Sequence, residues 1–419
     1  MLHPATVLLS SLVLGLVIAI AFGRQADSHA PSQHHGAHHG GNGHNQEEEL
    51  RQGHEHAPLP SADNVKLIIV GFRHGNRNPA QFLKNDTTHE EWAWEGASQL
   101  TNIGKRQAFS LGKFIRNRYM NLIPAEFSPS KIKAYSSSAE RCQMTLQSAM
   151  AGLYRPNKGR ANWNAALSWQ PIPYEISDPL LRMYNVKCPH YTTSYQGISD
   201  DNVDAATKWL NKDKELTKYI AQQSGLNASL SDLADVADNI GNMKMMNVPL
   251  PNWVIRPTIP GYPPKDMYKA IMGFAEAHQV LCADDAECAR MMAGMWLDQV
   301  ITTLKQKKDG KLTDRAAHFY AAHTETVLSL IRLIKAKDVV DTPTSAGMII
   351  EYTDLPAPAV RFIFHEPDPT NPDVRLAEIK ELPYCSGQQW CPLETFIENI
   401  KVPAFSDWQA ACKLPRCAI

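Results

Sequence analysis

Val65-Lys66-Leu67-Ile68-Ile69-Val70-Gly71-Phe72 runs directly into Arg73-His74-Gly75-Asn76-Arg77-Asn78-Pro79. The first eight residues are almost continuously apolar and predict a strand buried on both faces of a sheet. The seven that follow would then sit at the carboxyl end of that strand, where open α/β sheets hold their ligands. Two guanidinium groups flank one imidazole there. Arginine offers a planar fork of donors that matches phosphate oxygens, and an imidazole between two such forks is placed to attack phosphorus. Gly75 admits a close backbone approach and Pro79 stiffens the exit. A surface loop with two solvated arginines is the competing reading, and the strand in front of it argues against that.

Further similarities lie downstream. Trp94-Glu95-Gly96 leads to Leu100-Thr101-Asn102-Ile103-Gly104-Lys105-Arg106-Gln107, then Leu111-Gly112 and Arg116-Asn117-Arg118-Tyr119. With the Arg73-His74-Gly75 motif, this pattern resembles the histidine phosphatases. The similarity is to their larger branch, which contains animal secreted and lysosomal acid phosphatases, inositol polyphosphate phosphatases and phytases. It extends from about Val65 to the C-terminus and is weakest between about Ala205 and Val300.

Tyr135-Ser136-Ser137-Ser138-Ala139-Glu140-Arg141 follows a short strand signal at Ile132 to Tyr135. Ser137 and Glu140 have the spacing of a capping box, which would put Arg141 in the first turn of a helix, where anions are already favoured. The resemblance implies that Arg141 is a third phosphate clamp. His318-Phe319-Tyr320-Ala321-Ala322-His323-Thr324-Glu325-Thr326 reads as an apolar strand entering an apolar helix, and the resemblance makes His323 the second active-site histidine. Acid phosphatases of this branch usually carry Asp directly after that histidine, whereas this chain has Thr324. Glu325, one residue later, fits the His-x-Glu variant of the inositol polyphosphate phosphatases and is expected to be the proton donor. Its competing role is a helix N-terminal carboxylate held by the dipole.

Together these residues predict a two-step transfer. His74 attacks a phosphomonoester to give a phosphohistidine, Arg73, Arg77, Arg141 and His323 hold the equatorial oxygens, and Glu325 protonates the leaving oxygen. No cofactor is expected, because the arginines supply the positive charge.

The chain has 419 residues, 42 Lys and Arg against 43 Asp and Glu, and a formal net charge of -1. That balance argues against nonspecific nucleic-acid binding, so the expected partner is a small phosphomonoester. Residues 1–23 contain an apolar run from Thr6 to Phe22 and read as a signal peptide, with an uncleaved membrane anchor as the alternative. Secretion or lysosomal delivery follows, with no membrane attachment after cleavage; a homodimer is carried as an expectation. The eight cysteines lack C-x-x-C spacing, so disulfides explain them better than zinc. Cys282 with Cys288 and Cys385 with Cys391 are close in sequence, and the resemblance suggests Cys188 with Cys412. Cys142 has no evident partner. Asn85 and Asn227 begin glycosylation sequons.

Residues 24–62 form a His-rich arm, predicted to be disordered for want of apolar residues. Imidazoles such as His34, His35, His38 and His39 at this density would capture Zn²⁺, Ni²⁺ or Cu²⁺; a plain hydrophilic spacer is the other reading.

Strand signals at Val65 to Phe72, Ile132 to Tyr135 and Ala317 to Ala322, each followed by a helical pattern, predict an α/β fold. A mostly parallel sheet flanked by helices is expected over residues 63–151 and 309–419, with a hairpin from Met348 to Tyr352 and Val360 to Phe364. Residues 152–308 are helix-rich, with candidates near Asp201 to Leu210, Leu230 to Ile240 and Tyr268 to Val280, and resemble an inserted helical cap. The leading function is a secreted acid phosphatase. An inositol polyphosphate phosphatase is the alternative within enzymes, and would show extra Lys and Arg facing the cleft. A catalytically silent phosphoester- or metal-binding protein is the alternative outside them. A phosphoglycerate mutase is disfavoured, since those relatives are shorter cytosolic chains.

Overall fold

A computed structural model describes residues 58–414, apart from 157, 158, 160 and 201–203. The N-terminal apolar run and His34, His35, His38 and His39 therefore lie outside the described residues, as does Cys417.

The apolar run becomes strand β1, Leu67–Arg73, with all seven residues buried. β2 (Ile132–Ser136), β3 (Glu175–Ile176) and β4 (Ala317–Ala322) run parallel beside it in the order β3-β2-β4-β1. β5 (Gly347–Thr353), β6 (Ala359–Pro367) and β7 (Arg375–Ile379) continue the sheet antiparallel beyond β1, and the short β8 (Cys391–Pro392) pairs with β6. The sheet is thus mixed, parallel where the phosphate motif lies and antiparallel on the other side. β5 and β6 are the expected hairpin, slightly longer at both ends.

Alternation along β1 explains why it is apolar throughout. Leu67 and Ile69 pack on one face with Trp296, Leu297, Val327 and Phe396, which come from helices Ala286–Lys308, Thr324–Ile334 and Leu393–Ile400. Ile68, Val70 and Phe72 pack on the other with Leu111, Ile115, Leu146 and Leu153 of helices Asn102–Arg118 and Glu140–Leu153. Each such burial is worth about 1.5–3 kcal/mol, so a polar residue anywhere in the strand would be felt. A separate core joins helices Lys214–Ser224, Leu230–Met245 and Pro264–Asp284. Two of these enlarge the helices expected near Leu230 and Tyr268.

Disulfides join Cys188 to Cys412, Cys282 to Cys288 and Cys385 to Cys391. Cys142 is a buried thiol. Among the described residues no helix is long and apolar enough to cross a membrane.

Candidate active site

β2, β4 and β1 are neighbours, and their register aligns Ser136 with Ala321 and Arg73 with Ala322. Ser137, His323 and His74 therefore leave three adjacent strand ends together. The rings of His74 and His323 lie 5.6 Å apart, edge to face.

His74 is buried, and its Nδ1 lies 2.8 Å from the carbonyl of Gly75. A carbonyl can only accept, so Nδ1 carries the ring proton and Nε2 keeps a free lone pair. Burial pushes this imidazole well below its ordinary value, and Arg141, Arg73, His323 and Arg77 push in the same direction. The ring is neutral and nucleophilic.

Gly75 has a second use beyond the approach to an anion. A Cβ there would collide with the backbone of Gly104, and one on Gly104 would collide with Asn76, so the motif and the start of helix Asn102–Arg118 touch backbone to backbone. Thr101 caps that helix by accepting from Gly104 N, while its hydroxyl donates to Asn76 Oδ1 at 2.6 Å. Asn76 N donates to Gln107 Oε1 at 2.8 Å, and Gly75 N to Thr145 Oγ1 at 3.0 Å. Two helices thus fix the motif's backbone.

Arg73 is anchored by Nη1 donating to the Thr342 carbonyl at 2.8 Å. Arg77 pairs with Asp238 and donates to its neighbour's carbonyl, Asn78 O, at 2.9 Å. Burial alone would lower the Arg77 guanidinium; the charge and hydrogen bond of Asp238, with the charges of Glu325 and Asp235, together outweigh it and raise it. Arg141 stands in the first turn of its helix, as expected, but the capping box does not form. The helix is preceded by Ala139 with no side-chain cap, because the Ser137 hydroxyl is turned to Nε2 of His323 at 2.9 Å. Arg141 Nη2 donates to Nδ1 of the same ring at 3.2 Å. Both Nε donors of Arg73 and Arg141 are buried with no hydrogen-bond partner in the protein, a cost that an anion between them would relieve.

A cavity of about 560 Å³ opens over these groups, and Arg73, His74, Arg77, Arg141, His323 and Glu325 all line it. Glu325 projects from the first turn of helix Thr324–Ile334, whereas Thr324 is buried. Tyr184 faces His323 with ring centroids 5.4 Å apart. Sequence reading missed Tyr184, and also Asp235, Asp238 and Asn242, which come from the region of weakest similarity. The available signal was helical spacing: Asp235, Asp238 and Asn242 recur at i, i+3 and i+7 opposite the apolar Leu233, Val236, Ala237 and Ile240. Asn242 Oδ1 accepts from Asn76 Nδ2 at 2.8 Å, which ties this helix to the motif.

The sequence profile of the histidine phosphatase superfamily (branch 2) matches residues 64–359. The chain belongs to this superfamily. The Xenopus laevis lysosomal acid phosphatase is 24% identical over 366 residues, 85% of this chain and 80% of that protein. Prostatic acid phosphatase from Bos taurus is 24% identical over 368 residues, 84% of this chain and 89% of that protein. Among solved structures, the Hafnia alvei phytase superposes with a TM-score of 0.61 at 15% identity, covering 85% of this chain and 100% of the phytase. The multiple inositol polyphosphate phosphatase of Bifidobacterium longum gives 0.58 at 13% identity, covering 81% and 93%. These structures share the histidine phosphatase fold, and with the acid phosphatase relatives they make the chain a phosphatase of this family. Asn85 and Asn227, the sequon residues, are both exposed. Among the described residues no group of three or more His, Cys, Asp or Glu side chains is placed to hold a metal ion.

Proposed function

We propose that this chain is an acid phosphomonoesterase of the secretory or lysosomal route, working through a phosphohistidine at His74. The observation that carries this reading is the bond from His74 Nδ1–H to Gly75 O, which leaves Nε2 unprotonated among three arginines. Nε2 attacks phosphorus as the bond to the leaving oxygen breaks, and Glu325 gives that oxygen its proton. Arg73, Arg77 and Arg141 offset the charge on the three equatorial oxygens, and His323 holds Arg141 in place beside them. Water then attacks the phosphohistidine, Glu325 takes its proton back, phosphate leaves and His74 is restored.

The reading as an inositol polyphosphate phosphatase draws support from Glu325, yet the cavity lining does not favour it. Besides the three arginines the lining has one further basic chain, Lys269, against Asp235, Asp238, Glu325 and Asp341. A silent binding protein has no use for a neutral histidine with an exposed lone pair beside orphan guanidinium donors.

The test is a quenched reaction with radiolabelled substrate. Acid-labile, base-stable phosphate should appear on the wild type and not on His74→Ala, whose turnover should be lost with the fold intact. A wild type that turns over with no such intermediate would overturn the mechanism.

A further inference from the structure

The catalytic cavity does not end at its own wall. Ser231 and His278, on the facing helices Leu230–Met245 and Pro264–Asp284, also line a second cavity of about 420 Å³, so the two spaces meet there. The second space is bounded by Tyr195, Ser199, Asp200 and Ser229, with Leu230 and Leu281, and among the described residues no Lys or Arg lines it. Tyr195 and His278 approach each other across it, Oη to Nε2, at 3.4 Å.

A leaving group that extends from the arginines toward this junction passes Asp235 and Asp238, with Lys269 on the facing helix as the one Lys of the cavity lining among the described residues. Asp235 lies on the cavity wall one helical turn before Asp238, the partner of Arg77. Asp238 is already satisfied by that pairing, whereas Asp235 has no basic chain of its own on its helix face. Burial pushes the Asp235 carboxyl up to about 6, with the charge of Asp238 adding to it and Arg77 opposing. A second phosphate on the substrate would be repelled by this wall, because like charges in a partly desolvated cavity cost far more than in water. An ammonium or hydroxyl group would instead find acceptors.

Resting on the phosphatase reading above, we propose that Asp235 is a specificity-determining residue and that the joined cavities select phosphomonoesters whose leaving group is a hydroxyl- or amine-bearing alcohol without further negative charge. Asp235 turns away a second phosphoryl group and receives a donor, while the serine- and tyrosine-lined chamber beyond Ser231 and His278 accommodates the rest of the leaving group.

The experiment compares kcat/KM of the full chain on O-phosphoethanolamine, p-nitrophenyl phosphate, fructose 1,6-bisphosphate and myo-inositol hexakisphosphate at pH 6.5. Wild type should prefer O-phosphoethanolamine to the bisphosphate by tenfold or more, on the order of one neighbouring charge pair in such a site. Asp235→Asn should shrink that preference about tenfold, chiefly through KM. Ser231→Lys, which places a cation at the junction from an exposed position, should shrink it independently. If both variants turn over p-nitrophenyl phosphate and keep the wild-type preference, Asp235 has no such role. A wild type that favours the hexakisphosphate would overturn the assigned substrate class. Failure of wild type on all four substrates would instead strike the phosphatase reading on which this inference rests.

Discussion

Arg141 Nη2 donates to Nδ1 of His323 across 3.2 Å, and this one contact fixes which nitrogen of His323 carries its proton. Burial, with Arg141 adding to it, pushes that ring well below its ordinary value, so it is neutral and has a single N–H. Nδ1 accepts, so Nε2 donates to the Ser137 hydroxyl at 2.9 Å. Ser137 is a positioning residue, which through His323 steadies Arg141 at the cavity. Ser137→Ala should lower kcat about tenfold with little change in KM, matching the loss of one buried hydrogen bond worth ~1–2 kcal/mol. Ser137→Thr, which keeps the hydroxyl, should recover most of the loss. An unchanged kcat in Ser137→Ala would show that His323 needs no such support.

The same residue marks where sequence reading succeeded and where it stopped. β1 and β4 were legible because a strand buried on both faces cannot avoid a continuous apolar run, and the charged groups at its end stand out against it. Ser137 and Glu140 have a capping box's spacing, but spacing does not reveal that a histidine 186 residues away competes for the hydroxyl. Arg77 was legible as a cation, whereas its partner Asp238, 161 residues on, lies in a helix whose role depends on tertiary packing. The anchor of Arg73 was beyond reach for another reason. It is the backbone carbonyl of Thr342, which carries no side-chain signature.

Glu325 is the carboxyl nearest in sequence to His323, and both it and Thr324 line the cavity, but only Glu325 carries an acid group. Glu325→Gln should slow hydrolysis of alkyl phosphates by about 10²-fold, while aryl phosphates, whose leaving groups need less help from a proton, suffer less. Equal losses on both would remove Glu325 as the donor. The measurement is kcat across a series of leaving-group pKa values.

Four buried histidines set the acid limb of stability. His74, His323 and His365 are held well below the ordinary value by burial, and His318 is lowered to about 3 for the same reason. Because the folded values lie below the unfolded one, the unfolded chain binds more protons under acid. Their contribution is present above about pH 6.5 and is lost as pH falls below it toward the folded values. Urea midpoints should therefore fall steadily from pH 7 to pH 4. His365 has both ring nitrogens buried without partners. His365→Leu should flatten that fall and add about 1 kcal/mol at pH 7, since no polar atom is then left unsatisfied. A pH profile identical to wild type would show that His365 does not titrate between the two states.

The His-rich arm is expected to be separable from catalysis, because the whole arginine and histidine constellation lies C-terminal to it in the sequence. Deleting residues 24–60 should leave kcat/KM nearly unchanged and abolish Zn²⁺ or Ni²⁺ binding in calorimetry, as eight clustered imidazoles are removed. Activity should survive EDTA in both forms. Loss of activity in a folded truncation, or inhibition by EDTA, would place the arm or a metal within the reaction.

Glu351 tests how the sheet itself is held. It is completely buried in β5, yet its carboxyl group is paired with two arginines, Arg118 and Arg361. Its Oε1 accepts from Arg118 Nη2 at 2.8 Å and from the Tyr119 hydroxyl at 2.7 Å, and its Oε2 accepts from Arg361 Nε at 2.6 Å. The Arg361 guanidinium also lies 4.4 Å from the Trp390 ring, so one side of this charge is covered by an aromatic face. Helix Asn102–Arg118, β5 and β6 are thereby tied at one point, and the ends of both arginines reach the backbone of Pro60 and Ser61. Removing one partner of a buried ion pair leaves the others charged and desolvated, which costs about 3–5 kcal/mol. Glu351→Gln should therefore destabilise by that amount in urea titrations, far more than the cost of one neutral hydrogen bond. It should leave the KM of the folded fraction unchanged, since none of these groups lines the catalytic cavity. A loss below about 1 kcal/mol would mean that water or a rearranged arginine replaces the carboxylate, and that shape rather than charge secures the junction.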